Sequence, residues 1–350
     1  MSLDQMGITH HRLDDRLVAS IVFRGLHKKY PEIVAQVQQL YKQCRGYIDG
    51  PPRAIFYFDS FLDGTIDIEV QIPVTKPIES STIKSQIFRG RDVLSIALDG
   101  PYDDCLIPAA RKLSDYVNDH GLPFGDTSVI FKEFDPNNPE KAKLEVQELL
   151  LPWYDLLAEN LRRTLGDAAV QTVMQGSDQL TIESSMDERV EWLKTAMDRL
   201  DERADDFQKY DILSSCAHLI PQSAVDYARA IYEQTHDIDA LLQALLAHKW
   251  FPKQMYREGN VIYIVKRPAN AEEYAKAQTL TEKRYHCCYC SMVCHRMDSG
   301  VSQTFCNCSS GWYRRTWEGI LGRPVRVEVI ETVLGNGEAC RFAVYLPEDL

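Results

Sequence analysis

The sequence predicts an α+β protein whose first part is a duplicated strand–helix–strand–strand unit. Residues 66–74 alternate apolar and polar side chains, which is the period of a half-buried β-strand. The tetrapeptide Ile68–Gln71 returns as Leu144–Gln147, 76 residues further along the chain, and the segments on either side repeat at nearly the same offset. A repeat of this kind indicates two copies of one structural unit.

Each copy begins with an apolar strand pattern, Val18–Gly25 in the first copy and Val93–Gly100 in the second. A helical pattern follows, and then a second short strand at Ile55–Phe56 and at Ile130–Phe131. One such unit is too small to bury its own sheet face. We therefore expect the two copies to join about a pseudo-twofold axis into one concave antiparallel sheet, with both helices on one side. Residues 1–15 are polar and are predicted to be loose.

This pattern resembles the GyrI-like small-molecule-binding domain, which is also the effector domain of AraC-type and multidrug-sensing MerR-type regulators. The likeness covers residues 12–152. It depends on Ile66–Val74 ending in Pro-Val, on Asp99–Tyr102 before a helix, and on Asp135-Pro136 followed by Lys143–Gln147.

The resemblance implies a ligand cleft between the two halves, with a buried glutamate facing cationic or aromatic ligands. By position in the sequence, that glutamate is Glu145. In the first copy His27 stands where Tyr102 stands in the second, so the two halves of the cleft are not equivalent.

The pseudo-twofold predicts that Glu69 and Glu145 lie on the open side of the sheet with Tyr57, Phe58 and Tyr102. A carboxylate on an aromatic-lined, partly dry floor attracts lipophilic cations through its charge, and aromatic rings add cation–π contacts. The sequence therefore predicts a protein that binds or senses a small lipophilic or cationic ligand.

Two other interpretations of the two glutamates remain open. A buried carboxylate with a raised pKa is a candidate general base on water, and some relatives of the resembled family are hydrolases acting on strained rings. The alternative function is therefore hydrolysis of a small electrophilic or strained molecule, with Glu145 as base and with Glu69 and Tyr102 assisting. In the third reading both glutamates only solubilise an exposed strand face, and the sequence leaves enzymatic activity open.

Composition narrows the class of partner. The chain has 350 residues, is 45% hydrophobic and carries a net charge of −12. An acidic chain without a Lys/Arg cluster is not expected to bind nucleic acid directly. No apolar run reaches the ~18 residues that a transmembrane helix needs, and the N-terminus shows no signal-peptide pattern. We expect a cytoplasmic protein that makes no membrane contact; its oligomeric state is left open.

A second domain is predicted over residues 153–350. It begins as a helical block, with a helix start at Ser184-Ser185. Strands return in two hairpin-like pairs, the first around Gly259-Asn260 and the second from Arg323 to Val344. This part is predicted to be a helical plus cysteine-rich α+β domain.

Six of the ten cysteines lie between Cys287 and Cys308. Two Cys-x-Cys pairs, Cys288 with Cys290 and Cys306 with Cys308, offer the four soft ligands that zinc binds tetrahedrally. The usual structural spacing is Cys-x2-Cys, so the pairs are a weaker signal. The sequence therefore predicts zinc as the candidate cofactor, bound by these four cysteines.

Further ligands and other roles for these cysteines remain open. Cys287, Cys294, His286 and His295 are additional candidate ligands. The thiols alternatively pack as small apolar groups, or one of them is a reactive nucleophile activated by a neighbouring histidine.

The end of the chain faintly resembles 4-vinyl-reductase-type domains and a group of uncharacterised cysteine-rich bacterial and archaeal proteins. The likeness depends on Gly311-Trp312, Trp317-Glu318, Leu321–Val325 and Gly337–Phe342. It implies a second small-molecule or metal pocket and no particular reaction.

Overall fold

The computed structural model describes residues 3, 7–26, 30–57, 65–134, 138, 141–218, 220, 222–247, 251–252 and 254–348. His27, Phe58 and Asp135-Pro136, which the sequence analysis singled out, lie outside the described residues. The described chain divides into two compact units, one formed by residues 1–119 with 124–151 and the other by residues 120–123 with 152–350.

The first unit contains eight described strands and two described helices. The strands are β1 (Thr9–Arg12), β2 (Arg16–Gly25), β3 (Arg53–Tyr57), β4 (Ile66–Pro73), β5 (Lys84–Phe88), β6 (Asp92–Asp99), β7 (Asp126–Glu133) and β8 (Lys143–Leu149), and the helices are α1 (Tyr30–Gln43) and α2 (Tyr102–Asp119).

All eight strands belong to one antiparallel sheet with the order β1-β6-β8-β7-β3-β4-β2-β5. The two copies of the repeat are therefore related about the central β3–β7 pair, and the predicted fold class is confirmed. The prediction that residues 1–15 are loose is wrong for Thr9–Arg12, because these residues pair with β6 as an edge strand.

The sheet is strongly curled. Six strand spacings separate β6 from β5 in the strand order, which is about 29 Å in a flat sheet. Only three residues connect Phe88 at the end of β5 to Asp92 at the start of β6, a link that reaches about 14 Å at most. The sheet therefore curves until its two edges approach each other, which makes it concave as predicted.

The register shows which residues share a side of the sheet, since directly opposed residues in a ladder point the same way. We call the side that carries Arg53, Glu69, Gln71, Glu145 and Gln147 the polar side. It is the inside of the curl, because residues near both edges meet in one apolar cluster there. That cluster contains Val18, Ile55, Phe88, Val93 and Leu149.

The other side of the sheet carries the helices. Ile33, Val37 and Leu40 recur at helical spacing along α1 and are fully buried, as are Leu113 and Val117 of α2. Each of these side chains stabilises the unit by about 1.5–3 kcal/mol through burial. The helix-bearing side is therefore the main hydrophobic core of the first unit.

The second unit begins with helices and continues with a four-stranded antiparallel sheet of order β11-β12-β10-β9. Its helices are α3 (Trp153–Leu165), α4 (Asp167–Val173), α5 (Met186–Asp201), α6 (Asp206–Ser214), α7 (Gln222–Thr235), α8 (Ile238–Ala247), α9 (Ala271–Lys276), α10 (Leu280–Cys287) and α11 (Asn307–Leu321). Its strands are β9 (Gln254–Glu258), β10 (Val261–Val265), β11 (Arg326–Glu331) and β12 (Arg341–Tyr345).

Local sequence signals account for several boundaries in this unit. Ser185 caps α5 in a reciprocal capping box with Glu188, as the Ser-Ser start predicted. Gly259 supplies the positive φ of +58° that the β9–β10 turn requires. Trp317 of α11 lies in the same core cluster as Phe342 and Val344 of β12. Both predicted strand pairs are present.

No helix within the described ranges has the length and apolar content needed to cross a bilayer.

Candidate functional site

Glu69 and Glu145 both project into the inside of the curl. Glu69 lies on β4, and the row of opposed residues that starts at Glu69 crosses β3 and β7 and reaches Gln147 on β8. Glu145 is two residues from Gln147 and so lies on the same side of β8. Three strand spacings, or about 14 Å in a flat sheet, separate the two strands. The two carboxylates thus share one side of the sheet without forming a joined pair.

Glu69 is buried and is held by neutral donors. The Tyr57 hydroxyl donates to its Oε2 at 2.6 Å, and Nε2 of Gln86 donates to its Oε1 at 2.7 Å. Glu69 is only 5% exposed to solvent. No Lys, Arg or His of the described residues forms an ion pair with it. Gln86 reaches Glu69 from β5 although β2 lies between their strands, which the curl of the sheet makes possible.

Tyr57 remains a hydrogen-bond donor over the whole physiological range. Burial, followed by the neighbouring charge of Glu69 and the hydrogen bond to it, raises the pKa of Tyr57 well above its usual value. The phenol therefore stays protonated and presents its O–H to the carboxylate.

Glu145 is compensated by its neighbours. Lys132 Nζ lies 2.5 Å from its Oε2, and Gln147 Nε2 donates to its Oε1 at 2.7 Å. Burial alone would raise the pKa of Glu145, but the hydrogen bonds from Lys132 and Gln147 outweigh that effect and lower it. The prediction of a carboxylate whose pKa is raised for general-base work is therefore wrong for Glu145, and its geometry does not favour the hydrolase alternative.

Tyr102 does not lie with the glutamates. It begins α2, is fully buried, and its ring centroid is 5.4 Å from that of Tyr30 and 6.2 Å from that of Phe131. Phe131 neighbours Ile130 on β7 and so points to the helix-bearing side. The expectation that Tyr102 lines the open side is wrong, because its helix packs on the opposite side of the sheet.

Two charged residues that the sequence analysis did not select lie near Glu69. Asp126 begins β7 on the polar side. Burial and the charge of Glu69 raise the pKa of Asp126 to about 6, and the charge of Arg91 partly offsets them. Arg91 lies in the connection between β5 and β6, and burial lowers its pKa. Strand alternation counted back from Ile130 would have placed Asp126 on this side.

A cavity of about 270 Å³ opens on the polar side near Arg53. The guanidinium carbon of Arg53 lies 4.7 Å from the centre of the Phe88 ring. Burial, followed by the charge of Arg91, lowers the pKa of Arg53 to about 10, so this side chain remains a cation at neutral pH. Sequence alternation along β3 places Arg53 beside Ile55 but gives no sign of a cavity.

The four predicted metal ligands lie in two short segments of the second unit. Cys288 and Cys290 follow α10, and the backbone N–H of Cys290 donates to Sγ of Cys288 at 3.4 Å. Cys306 ends a short 3₁₀ turn, and Cys308 lies in the first turn of α11.

These four cysteines are half-buried, and their thiols are neutral at physiological pH in the absence of a metal. Burial, followed by the charge of a neighbouring cysteine, raises the pKa of Cys290 and of Cys308 to about 12. The pKa values of Cys288 and Cys306 are raised for the same reasons. A nucleophilic thiol needs a lowered pKa, so these environments do not favour the hypothesis of a reactive thiol.

Both histidines of this segment lie beside Tyr285. The rings of His286 and His295 lie 4.8 and 4.9 Å from the ring of Tyr285, measured between centroids. Cys340, just before β12, is a neighbour of this group, since its charge acts on Cys288 and Cys306. Cys340 was not among the ligands predicted from the sequence.

Among the residues that the structure describes, no three Cys, His, Asp or Glu side chains are arranged to hold a metal ion. Zinc binding by Cys288, Cys290, Cys306 and Cys308 remains a prediction.

No protein-family model and no curated protein matches this chain. Among solved structures, it is similar to the EcmrR C-terminal domain at 17% identity and a TM-score of 0.34, over 41% of this chain and 95% of that one. It is similar to SAV2435 bound to tetraphenylphosphonium at 11% identity and a TM-score of 0.31, over 42% and 96% of the two chains. A hydrolase from Listeria innocua is matched at 15% identity and a TM-score of 0.28, over 41% and 91%. At these identities and TM-scores, membership of the GyrI-like family remains a prediction.

Proposed function

We propose that the first unit binds a small organic molecule inside its curled sheet, and that the ligand is a lipophilic cation for which Glu69 supplies the opposite charge. The observation that carries this proposal is a buried carboxylate whose hydrogen bonds come from Tyr57 and Gln86, both neutral. A buried charge without an ion partner is costly. A cation that reaches Glu69 lowers that cost and displaces no Lys or Arg that the structure describes.

The local charge balance supports the same ligand class. The carboxyl groups of Glu69 and Asp126 and the guanidinium of Arg91 all lie close enough to Tyr57 for their charges to act on it. The charge of Glu69 contributes to the raised pKa of Asp126, which is about 6. A bound cation stabilises the ionised form of Asp126, so we expect the affinity for a cation to increase as the pH rises through about 6.

Glu145 has a weaker part in this proposal. It faces the inside of the same curl, but Lys132 already neutralises it. We therefore expect Glu145→Gln to reduce cation affinity less than Glu69→Gln does. The cysteine-rich second unit is an accessory part of the same protein in this proposal.

The proposal is tested with two probes of the same shape and opposite charge, tetraphenylphosphonium and tetraphenylborate, titrated calorimetrically into the full chain. We expect the cation to bind and the anion not to bind at this site. Glu69→Gln should weaken cation binding at least tenfold, which corresponds to about 1.4 kcal/mol. Glu79→Gln, at an exposed loop position, is the matched control and should change nothing. Equal binding of both probes, or cation binding that Glu69→Gln leaves intact, would contradict the proposal.

A further inference from the structure

The cavity beside Arg53 has a charge that differs from that of the Glu69 site. Its lining contains three arginines and one aspartate: Arg12, Arg16 and Arg53, with Asp14. Arg12 is bound to Asp92, with Nη1 at 2.8 Å from Oδ2. Arg16 donates only weakly to a backbone carbonyl, that of Asp49, at 3.4 Å. The rim of the cavity therefore has an excess of positive charge.

Arg53 is the cation in the wall of this cavity. Its Nε is buried and has no hydrogen-bond acceptor in the described part of the chain. Its guanidinium forms no ion pair there either and lies over the face of the Phe88 ring. Glu145 lies two strands away in the same row of the sheet, but that carboxylate is bound to Lys132. The buried Nε–H of Arg53 is thus left without an acceptor of its own among the described residues.

The rest of the lining is apolar. It consists of Leu13, Val18, Pro51, Pro73, Phe88 and Ile130, together with the side-chain amide of Gln71. The volume of about 270 Å³ is just below the ~300–1,000 Å³ range of drug-sized ligand sites. The cavity therefore suits a small molecule with an apolar body and one polar group.

We propose that this cavity is a second binding site of the first unit, and that it takes a small organic anion whose carboxylate is held by Arg53 and whose apolar body lies against Phe88 and Ile130. A carboxylate matches the fork of guanidinium N–H groups, and the hydrogen bonds between them are charge-assisted. Such a ligand provides an acceptor for the buried Nε–H and neutralises a half-buried cation at the same time. Arg16 at the rim attracts the same charge.

This site is independent of the cation site at Glu69. Glu69 and Tyr57 are not part of the cavity lining, and the two sites select opposite charges. Loss of one activity therefore leaves the other measurable.

The test uses three probes of nearly equal shape, namely benzoate, benzamide and benzamidinium, titrated into the full chain by calorimetry. We expect benzoate to bind more tightly than benzamide by at least tenfold, and benzamidinium not to bind in this cavity. Arg53→Gln should weaken benzoate binding at least tenfold. Arg53→Lys should recover only part of the affinity, because an ammonium lacks the fork. Arg111→Gln, on an exposed position of α2, is the control and should bind benzoate like the unmodified chain.

Thermal melting without ligand separates a binding defect from misfolding. Because Arg53 is a half-buried charge without an ion partner among the described residues, Arg53→Gln should melt at the same temperature as the unmodified chain or above it. The combination of retained stability and lost benzoate affinity supports the proposal. Equal affinity for benzoate and benzamide, or full benzoate binding by Arg53→Gln, would overturn it. So would benzoate binding that is lost equally in Arg53→Gln and Arg111→Gln, because the effect would then be one of overall charge.

Discussion

The hydroxyl of Tyr57 donates a 2.6 Å hydrogen bond to Glu69, so β3 and β4 are joined through their side chains as well as through their backbones. Residues 53–57 and 66–73 run antiparallel here. Tyr57 lies opposite Asp67 and Glu69 lies opposite Ile55, so Tyr57 and Glu69 are diagonal neighbours on the polar side. The bond fixes the carboxylate against the sheet. It is one of two hydrogen bonds that this carboxylate accepts from side chains of the described residues.

Tyr57→Phe removes that donor and leaves the ring. We expect the free energy of unfolding to fall by about 1–3 kcal/mol, since a buried charged acceptor loses a partner. Urea denaturation measures the change. Tyr47→Phe is the control, because Tyr47 is 37% exposed and its ring lies under Lys76. A Tyr57→Phe chain as stable as the control would show that the bond contributes nothing.

Glu148 gives the first unit a characteristic pH dependence. It points to the helix-bearing side, is fully buried, and accepts hydrogen bonds from Gly125 N and Thr127 Oγ1. Burial raises its pKa from 4.5 to about 8. The folded chain therefore keeps the Glu148 proton up to about pH 8, whereas the unfolded chain loses it near pH 4.5. The contribution of Glu148 to stability is complete below about pH 4.5 and is lost as the pH rises towards about 8.

Glu148→Gln should remove this dependence. Relative to the unmodified chain, the variant should become more stable as the pH rises from 5 to 9. We expect this relative gain in unfolding free energy to reach up to several kcal/mol, at ~1.4 kcal/mol per unit of pKa shift. Urea midpoints across that range measure it. Glu133→Gln, at an exposed site on β7, should follow the unmodified chain. Parallel curves for all three proteins would refute the assignment.

Arg284 links the cysteine segments to the strand end of the second unit. It is 4% exposed, and its guanidinium donates to the Val333 carbonyl at 2.7 Å, to Asp298 at 2.8 Å and to the Met297 carbonyl at 3.1 Å. Arg284→Met leaves these three acceptors without their donor. We expect it to destabilise the second unit by about 3–5 kcal/mol, whereas Lys283→Met at the exposed neighbouring position should cost little. Differential scanning calorimetry tests this, and equal melting of the two variants would contradict it.

The predicted zinc site has its own measurement. Four thiolate ligands predict about one zinc per chain, at Cys288, Cys290, Cys306 and Cys308. We expect elemental analysis of the purified chain to find that zinc, and to find it lost in Cys288→Ser and Cys306→Ser but kept in Cys105→Ser, whose cysteine lies in the first unit. A metal-free chain that is fully folded would remove the prediction.

Zinc binding would also be visible in the thiols. All four have raised pKa values when no metal is present. Binding must therefore release protons, because zinc takes cysteine as the thiolate.

The sequence by itself determined the duplicated sheet and the side on which Glu69 and Glu145 lie. Both follow from local pattern: a period of two fixes which residues share a side, and a repeat at one offset predicts two copies with the same strand order. The hairpins of the second unit and the start of α5 were predictable for the same reason, since Gly259 and Ser185 act on their immediate neighbours.

The tertiary structure alone decided which partners the charged groups have. The curl of the sheet brings Gln86 to Glu69 across one intervening strand and Phe88 to Arg53 across two. Lys132 neutralises Glu145, whereas no cation of the described residues pairs with Glu69, and the packing of α2 takes Tyr102 to the other side. Burial and charge depend on distances through space, whereas strand alternation specifies only a side of the sheet. For that reason the sequence could name both glutamates but could not say which of them pairs with a lysine.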